Sequence, residues 1–370
     1  MKRGVQTSAD QFSPGCGCCV PRRRFLKGAA AIAASAILPD IDLQAQAPAA
    51  ARRLDVHSHF APPQWAAAIT ERASRGVTIN NPLNAFKDWK PATSIAVMDQ
   101  AGVATSILSI TTPGIWYGEK NSTVEETRRL ARDCNEFAAR MRADFPGRFG
   151  QFAVLPLPDV EGSLRELEYA LDTLKADGCG MLTNYGEIYG DRLLGDPSLA
   201  PVFQELNRRK AVVYVHRRIY TGQYEIFGWD HYRTILSLIS TPARGAGLPA
   251  ARYPDVRFII SHSGGLMPFV FNRTNTPQGA ETKQEADTRN ATLNVLKQFR
   301  FDTAHSNNNF TLSALKKLIP VSQILFGTDY PLTKVPEELK GLETAGVMNA
   351  EELRGITREN ALSLFPKYKT

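Results

Sequence analysis

The chain has 370 residues, enough for one large domain or two ordinary ones with a sizeable core. Apolar residues make up 43% and charged residues 22%, which excludes a disordered chain. The formal charge is +7, but the first 47 residues hold six Lys/Arg against three Asp/Glu, and no basic stripe with interleaved aromatics follows, so a nucleic-acid partner is not expected.

The first segment reads as an address. Residues 21–27 are PRRRFLK and lead into GAAAIAASAILP. A pair of arginines, Arg22 and Arg23, before a modest apolar run is the pattern of a twin-arginine export signal. The run is too short and too rich in alanine to span a bilayer. Small residues follow it in AQAPAAA, so cleavage is expected near residues 45–50. The expectation is a removable segment 1–47, a mature chain 48–370 with no membrane span, and a periplasmic or exported location. Cys16, Cys18 and Cys19 would leave with the signal. Cys134 and Cys179 remain, on a predicted helix and a predicted strand, and read as two buried free thiols.

From residue 52 onward, short β-rich runs alternate with helical patterns. The runs are RRLDVH, TSILSI, FGQFAVLP, CGMLTNY, AVVYVH, VRFIISH, FRFDTA and SQILFGTDYP. Segments of helical period lie between them, such as STVEETRRLARDCNEFAARMRADF and SLAPVFQELNRRK. Alternation of this kind implies right-handed βαβ units on a parallel sheet. Eight repeats with no Gly/Ser-rich linker predict an α/β fold that closes into a single (β/α)8 TIM barrel, with loop elaborations at the C-terminal face. RIYTGQYEIFGWDHY, after the fifth run, is the most conspicuous of these loops.

In such a barrel the active site lies at the C-terminal ends of the strands. His57 and His59 end the first run, and residues i and i+2 of a strand point to the same side. His216 ends the fifth run, His262 the sixth, and Asp329 follows the eighth. A lone buried histidine is more often a hydrogen-bonded core residue than a ligand. Four histidines and an aspartate at equivalent strand ends make a site. His57, His59, His216 and Asp329 form an N3O donor set for one divalent ion, with zinc the first choice and manganese the second, and with a position open to water or substrate. His262 then acts as acid or base. Asp55 reads as a hydrogen-bonding residue at the strand start. Asn184 and Tyr185 end the fourth strand and are expected to line the pocket. Asp302 ends the seventh, where its carboxylate either orients a ligand or meets the substrate. His305, shortly after, either lines the pocket or is incidental to its loop, and His231, in the aromatic loop, carries no assignment.

The stretches HSH at 57–59, His216, HSGG at 262–265 and GTDYP at 327–331 resemble the amidohydrolase superfamily. More narrowly they resemble the family of aminocarboxymuconate-semialdehyde decarboxylase and related aromatic-acid decarboxylases, with 6-methylsalicylate decarboxylase-type members most similar. VMDQAGV, RYPDVRFIISHSGGLMPF and the closing ENALSLF agree, and the resemblance covers roughly residues 52–366. It implies His57, His59, His216 and Asp329 as metal ligands and His262 as the catalytic histidine. It implies Arg273 as the arginine that binds a substrate carboxylate, reaching the neighbouring subunit's pocket in a homodimer. The fourth strand has no lysine, which under this resemblance favours one metal ion over two. The chain departs from the pattern at Arg217 and Arg218, where the family usually has proline. These two charges either hold an acidic substrate or face outward.

The function this implies is metal-dependent, non-oxidative decarboxylation of a small aromatic acid of ortho-hydroxybenzoate type. In that chemistry Asp329 serves as ligand and proton donor, or His262 moves the proton. The alternative is hydrolysis of a lactone, ester or amide at the same site. A non-catalytic binding protein is the third reading, and it would not require both an open metal site and His262.

Overall fold

A computed structural model describes residues 52–77, 82–186, 192–218, 229–239, 253–274 and 282–369. The segment expected to direct export lies outside these residues, as do residues 219–228 of the aromatic loop RIYTGQYEIFGWDHY. Eight strands form one sheet in sequence order, every neighbouring pair parallel. They are β1 (Arg53–His59), β2 (Val103–Ser109), β3 (Phe149–Val154), β4 (Gly178–Leu182), β5 (Val212–His216), β6 (Arg257–Ile260), β7 (Arg300–Asp302) and β8 (Ile324–Leu325). The ring closes between the first and last strands. Val56 N–H donates to Phe326 O, Asp329 N–H to His57 O and His59 N–H to Tyr330 O, with a parallel bridge at Ser58 and Tyr330. The predicted (β/α)8 barrel is the observed one.

Helices α1 (Pro63–Ser74), α2 (Pro91–Gln100), α3 (Val124–Asp144), α4 (Val160–Glu168), α5 (Ala200–Arg208) and α6 (Trp229–Ile239) follow in chain order, with further helices to Leu362. Their starts are built locally. Thr123 caps α3 by accepting from Glu126 N–H, and Asp159 caps α4 by accepting from Gly162 N–H. Strands β1, β3 and β5 are almost wholly buried because helices cover the outside while side chains fill the inside. Inside, Leu54, Val56, Ile107, Phe152, Tyr214, Ile259 and Leu325 pack as one cluster capped from below by Leu364 and Phe365. Each such side chain contributes about 1.5–3 kcal/mol by leaving water. This floor is closed, so the chemistry-bearing residues have only the opposite end of the barrel to occupy. Cys134 on α3 and Cys179 on β4 are buried free thiols, as expected from the sequence. Among the described residues no helix is long and apolar enough to cross a membrane.

Candidate metal centre

The strand period puts His57 and His59 on one face of β1, and both are fully buried at the barrel mouth. Register aligns His59 with Ser109 on β2 and Leu182 on β4 with His216 on β5. Asp329 is carried by the turn after β8, and its N–H bond to His57 O (2.7 Å) sets its height against β1. Asp55 tightens the same junction. Its Oδ1 accepts from His57 N–H (2.9 Å) and Thr328 N–H (3.2 Å), and its Oδ2 accepts from Thr328 Oγ1 (2.7 Å). Burial pushes the Asp55 carboxyl up to about 7, although these bonds oppose the shift. Gly327 allows the turn to lie this close, since a Cβ there would stand 2.8 Å from His57 Cβ and 3.0 Å from Asp302 Cβ. His262, His305 and Asp329 hold positive φ angles of 53°, 55° and 59°. Non-glycine residues rarely adopt that conformation, and several in one place mark a functional site.

One ligand atom from each of His57, His59, His216 and Asp329 lies within 4.8 Å of the others. His59 Nε2 is 2.8 Å and His57 Nε2 3.2 Å from Asp329 Oδ1, and the two Nε2 atoms are 3.2 Å apart. The opposite ring nitrogens are each engaged. His57 Nδ1 meets Asp302 Oδ2 (3.0 Å), His59 Nδ1 meets Ser109 O (3.1 Å) and His216 Nδ1 meets Arg217 O (2.9 Å). A carbonyl or carboxylate accepts, so each Nδ1 carries the proton and each Nε2 turns a lone pair inward. Three imidazoles and a carboxylate converge, and His216 Nε2 is buried with no hydrogen-bond partner. A cation satisfies this arrangement, and the donor types suit a divalent ion.

Without an ion, a proton on His57 takes the cation's place. Burial disfavours a charge on His57, but the carboxylates of Asp302 and Asp329 outweigh it and hold its pKa up at about 10. Burial, and then the neighbouring His59 and His57, hold His216 well below the usual imidazole range. Burial lowers His59 as well. Burial would raise the Asp329 carboxyl, yet the His57 charge and bonds from His305, His57 and His59 hold it well below the carboxylate range. Asp329 is therefore an anion at rest, which suits a ligand better than a standing acid.

Other residues fall into place around this cluster. His262 is buried, with its ring 4.8 Å from that of His57 and 5.4 Å from that of His216, and its Nδ1 donates to Ala304 O at 3.2 Å. Burial, then His57, hold it well below the usual range, so it is a neutral base that offers Nε2 as acceptor. Asp302 stands at the end of β7 beside both His57 and His262. Its Oδ2 holds His57, its Oδ1 accepts from His262 N–H and Ala304 N–H, and it is fully buried. Both oxygens are engaged with the protein, Oδ2 at the ring of His57 and Oδ1 at two backbone N–H groups. Asn184 is buried beside Arg218, whose guanidinium donates to Asn184 O (3.5 Å), Gly186 O (3.3 Å) and Trp116 O (3.0 Å). Tyr185 lines a recess beside His216, its hydroxyl accepting from Leu182 N–H at 2.9 Å. Arg218 turns inward to the same recess. Arg273 lies on the helix Met267–Thr274, and its side chain is outside the described residues. His305, which the sequence left between pocket wall and bystander, places Nε2 2.7 Å from Asp329 Oδ2 with its side chain 39% exposed. Sequence reasoning missed His231, whose Nε2 pairs with Ser261 Oγ (2.7 Å) and whose ring abuts His262 edge-on. His305 follows a strand end by three residues; His231 comes from a helix and left no such signal.

Comparison with known proteins agrees with this geometry. A family model described as amidohydrolase matches residues 54–367. The 6-methylsalicylic acid decarboxylase of Penicillium expansum is 32% identical over 334 residues, covering 86% of this chain and 97% of that one. A gamma-resorcylate decarboxylase of a Polaromonas species is 25% identical over 313 residues, covering 75% and 91%. Among solved structures, a dihydroxybenzoic acid decarboxylase from Polaromonas with bound manganese superposes with a TM-score of 0.69 at 20% identity, covering 86% of this chain and 98% of that one.

Proposed function

This chain belongs to the amidohydrolase family, and we propose that within it the chain is a metal-dependent decarboxylase of a small ortho-hydroxybenzoate. The observation that carries the reading is the inward-facing N3O cluster with the neutral base His262 at its edge. Named decarboxylases among its relatives support it.

His57, His59, His216 and Asp329 would hold the ion. Once bound, it supplies a Lewis acid and template for the substrate's carboxylate and ortho oxygen. The remaining work belongs to the side chains. An aryl carbanion is too unstable to form freely, so the carbon bearing the carboxylate must be protonated before or as CO2 leaves. His262 accepts the substrate's phenolic proton at Nε2 and returns it to that carbon. The carbon–carbon bond then breaks, its electron pair restores the ring, and CO2 departs. The product phenolate regains a proton from solvent, so one proton replaces one CO2 and no redox cofactor is involved. Asp302 fixes the tautomer of His57 and the backbone of His262 through its two oxygens.

Zinc is the ion that the N3O set favours, and the manganese of the dihydroxybenzoate decarboxylase is the alternative. The chain is further proposed to act as an exported homodimer, on the strength of Arg22–Arg23 and of Arg273; N-terminal sequencing of the exported protein and light scattering test these two points.

The test is CO2 release by purified, metal-loaded protein offered a panel of ortho-hydroxybenzoates, beside His262→Ala. Release that falls at least 100-fold in the variant is the expected result. No release from any acid, with metal demonstrably bound, overturns the reading in favour of lactone or ester hydrolysis.

A further inference from the structure

Asp329 has two carboxylate oxygens, and their surroundings differ. Oδ1 faces the cluster, 2.8 Å from His59 Nε2 and 3.2 Å from His57 Nε2. Oδ2 faces His305, whose Nε2 stands 2.7 Å away. An ionised carboxylate only accepts, so this nitrogen of His305 carries a proton and donates it to Oδ2. One oxygen is thus turned to the ion position and the other is held away from it.

His305 is built into this place. It follows β7 in a tight loop, in which Ala304 N–H donates to Asp302 Oδ1 and Ser306 N–H donates to Thr303 O. Its own N–H donates to Glu338 Oε2 at 3.0 Å, and the Asn307 side chain donates to the same oxygen at 2.7 Å. Glu338 lies on the helix Val335–Thr344, the next helix after Asp329. Gly341 lets the loop lie against that helix, since a Cβ there would stand 2.7 Å from Asn307 Cγ. These contacts hold His305 at a φ of 55°, which non-glycine residues rarely adopt. Its imidazole is therefore delivered to Oδ2 by a loop anchored at both sides.

A carboxylate binds a cation through one oxygen or through two. Three imidazoles and a single oxygen leave an ion with room for substrate, and a second oxygen from Asp329 would take part of that room. We infer that His305 is a positioning residue, which keeps Asp329 a one-oxygen ligand and so reserves a position on the ion for the substrate. The inference rests on the metal centre of the proposed function. It is the same whether the ion serves decarboxylation or hydrolysis.

The experiment adds cobalt(II) to the full chain stripped of metal and reads its visible absorption, whose bands weaken as the coordination number rises. Wild type is compared with His305→Ala, His305→Asn and His305→Gln. Asn tolerates the positive φ, but its amide stops short of Oδ2. The Gln amide reaches about as far as the imidazole Nε2. Ala and Asn should weaken the bands and lower cobalt affinity by about 10–100-fold in competition against a chelator. Gln should restore both to wild-type values. Infrared difference spectra of wild type with and without the ion, using 13C-labelled aspartate, supply a reading that needs no variant. The two stretches of the responding carboxylate should be widely split, as for binding through one oxygen. Wild-type spectra and affinity in both Ala and Asn would overturn the inference and leave His305 a wall of the pocket. A narrow infrared splitting in wild type would overturn it as well, and it decides the matter if the variants do not fold. No cobalt spectrum from wild type would remove the metal centre itself, and the proposed function and this inference with it.

Discussion

Asp302 spends Oδ2 on His57 and Oδ1 on two backbone N–H groups, and this division makes its substitution informative. In Asp302→Asn one oxygen remains to serve the backbone, while an NH2 group faces the Nδ1–H of His57. Two donors cannot share that contact, so His57 must move its proton to Nε2 and present N–H to the metal position. Substitution of such supporting groups costs 10–100-fold in metal affinity. We expect a loss in this range for Asp302→Asn by competition against a chelator, with thermal unfolding of the metal-free protein little changed. Affinity equal to wild type would show that Asp302 does not set the tautomer. The ligands themselves were legible, because the rule that strand ends carry the chemistry selects His57, His59, His216, His262 and Asp329 one strand at a time. The role of Asp302 was only half legible: its position at the end of β7 marked it, but its partner lies 245 residues away in the chain. Ser109 meets His59 Nδ1 through its main-chain carbonyl (3.1 Å) and its hydroxyl (3.2 Å), and a lone serine at a strand end carried no signal of that pairing.

At the scale of elements, the start of α4 joins two adjacent helices. Asp159 caps α4 through Gly162 N–H and also pairs with Arg128 on α3, Nη2 to Oδ1 being 3.0 Å. The Arg128 hydrogen bond holds its carboxyl below the usual range against the effect of burial. A carboxyl lowered in the folded state stabilises fully above its unfolded pKa, and loses that contribution as pH falls through the folded value. Asp159→Ala should therefore cost about 1–2 kcal/mol at neutral pH, the usual worth of an N-cap with a charged partner. The difference from wild type should shrink in urea titrations as pH drops below about 4, the ordinary carboxylate value. A difference constant with pH would assign the whole effect to helix propensity. Element types were legible here because periodicity switches between about 2 and 3.6 residues along the chain. The aspartate's second bond was not, since it joins helices separated by a strand.

At the scale of the molecule, the ion's ligands come from β1, β5 and the turn after β8, so one centre ties the two closing strands to the far side of the barrel. The bonds from Val56, Asp329 and His59 already close the ring, which means the fold does not wait for the metal. Without an ion only the proton on His57 offsets the anion of Asp329, and His216 Nε2 stays buried without a partner. Binding to the folded state alone stabilises by RT ln(1 + [L]/Kd), about 4 kcal/mol at a thousandfold excess over Kd. Chelation should therefore lower Tm by several degrees without abolishing cooperative unfolding, and added zinc or manganese should restore it. His216→Ala removes one ligand from the face opposite β1 while leaving the closing bonds untouched. That variant should fold and unfold cooperatively, with a Tm that no longer responds to either ion. If the wild-type Tm itself ignores chelator and metal, the cluster holds a proton on His57 in place of a metal, and the chemistry assigned to this end of the barrel loses its centre.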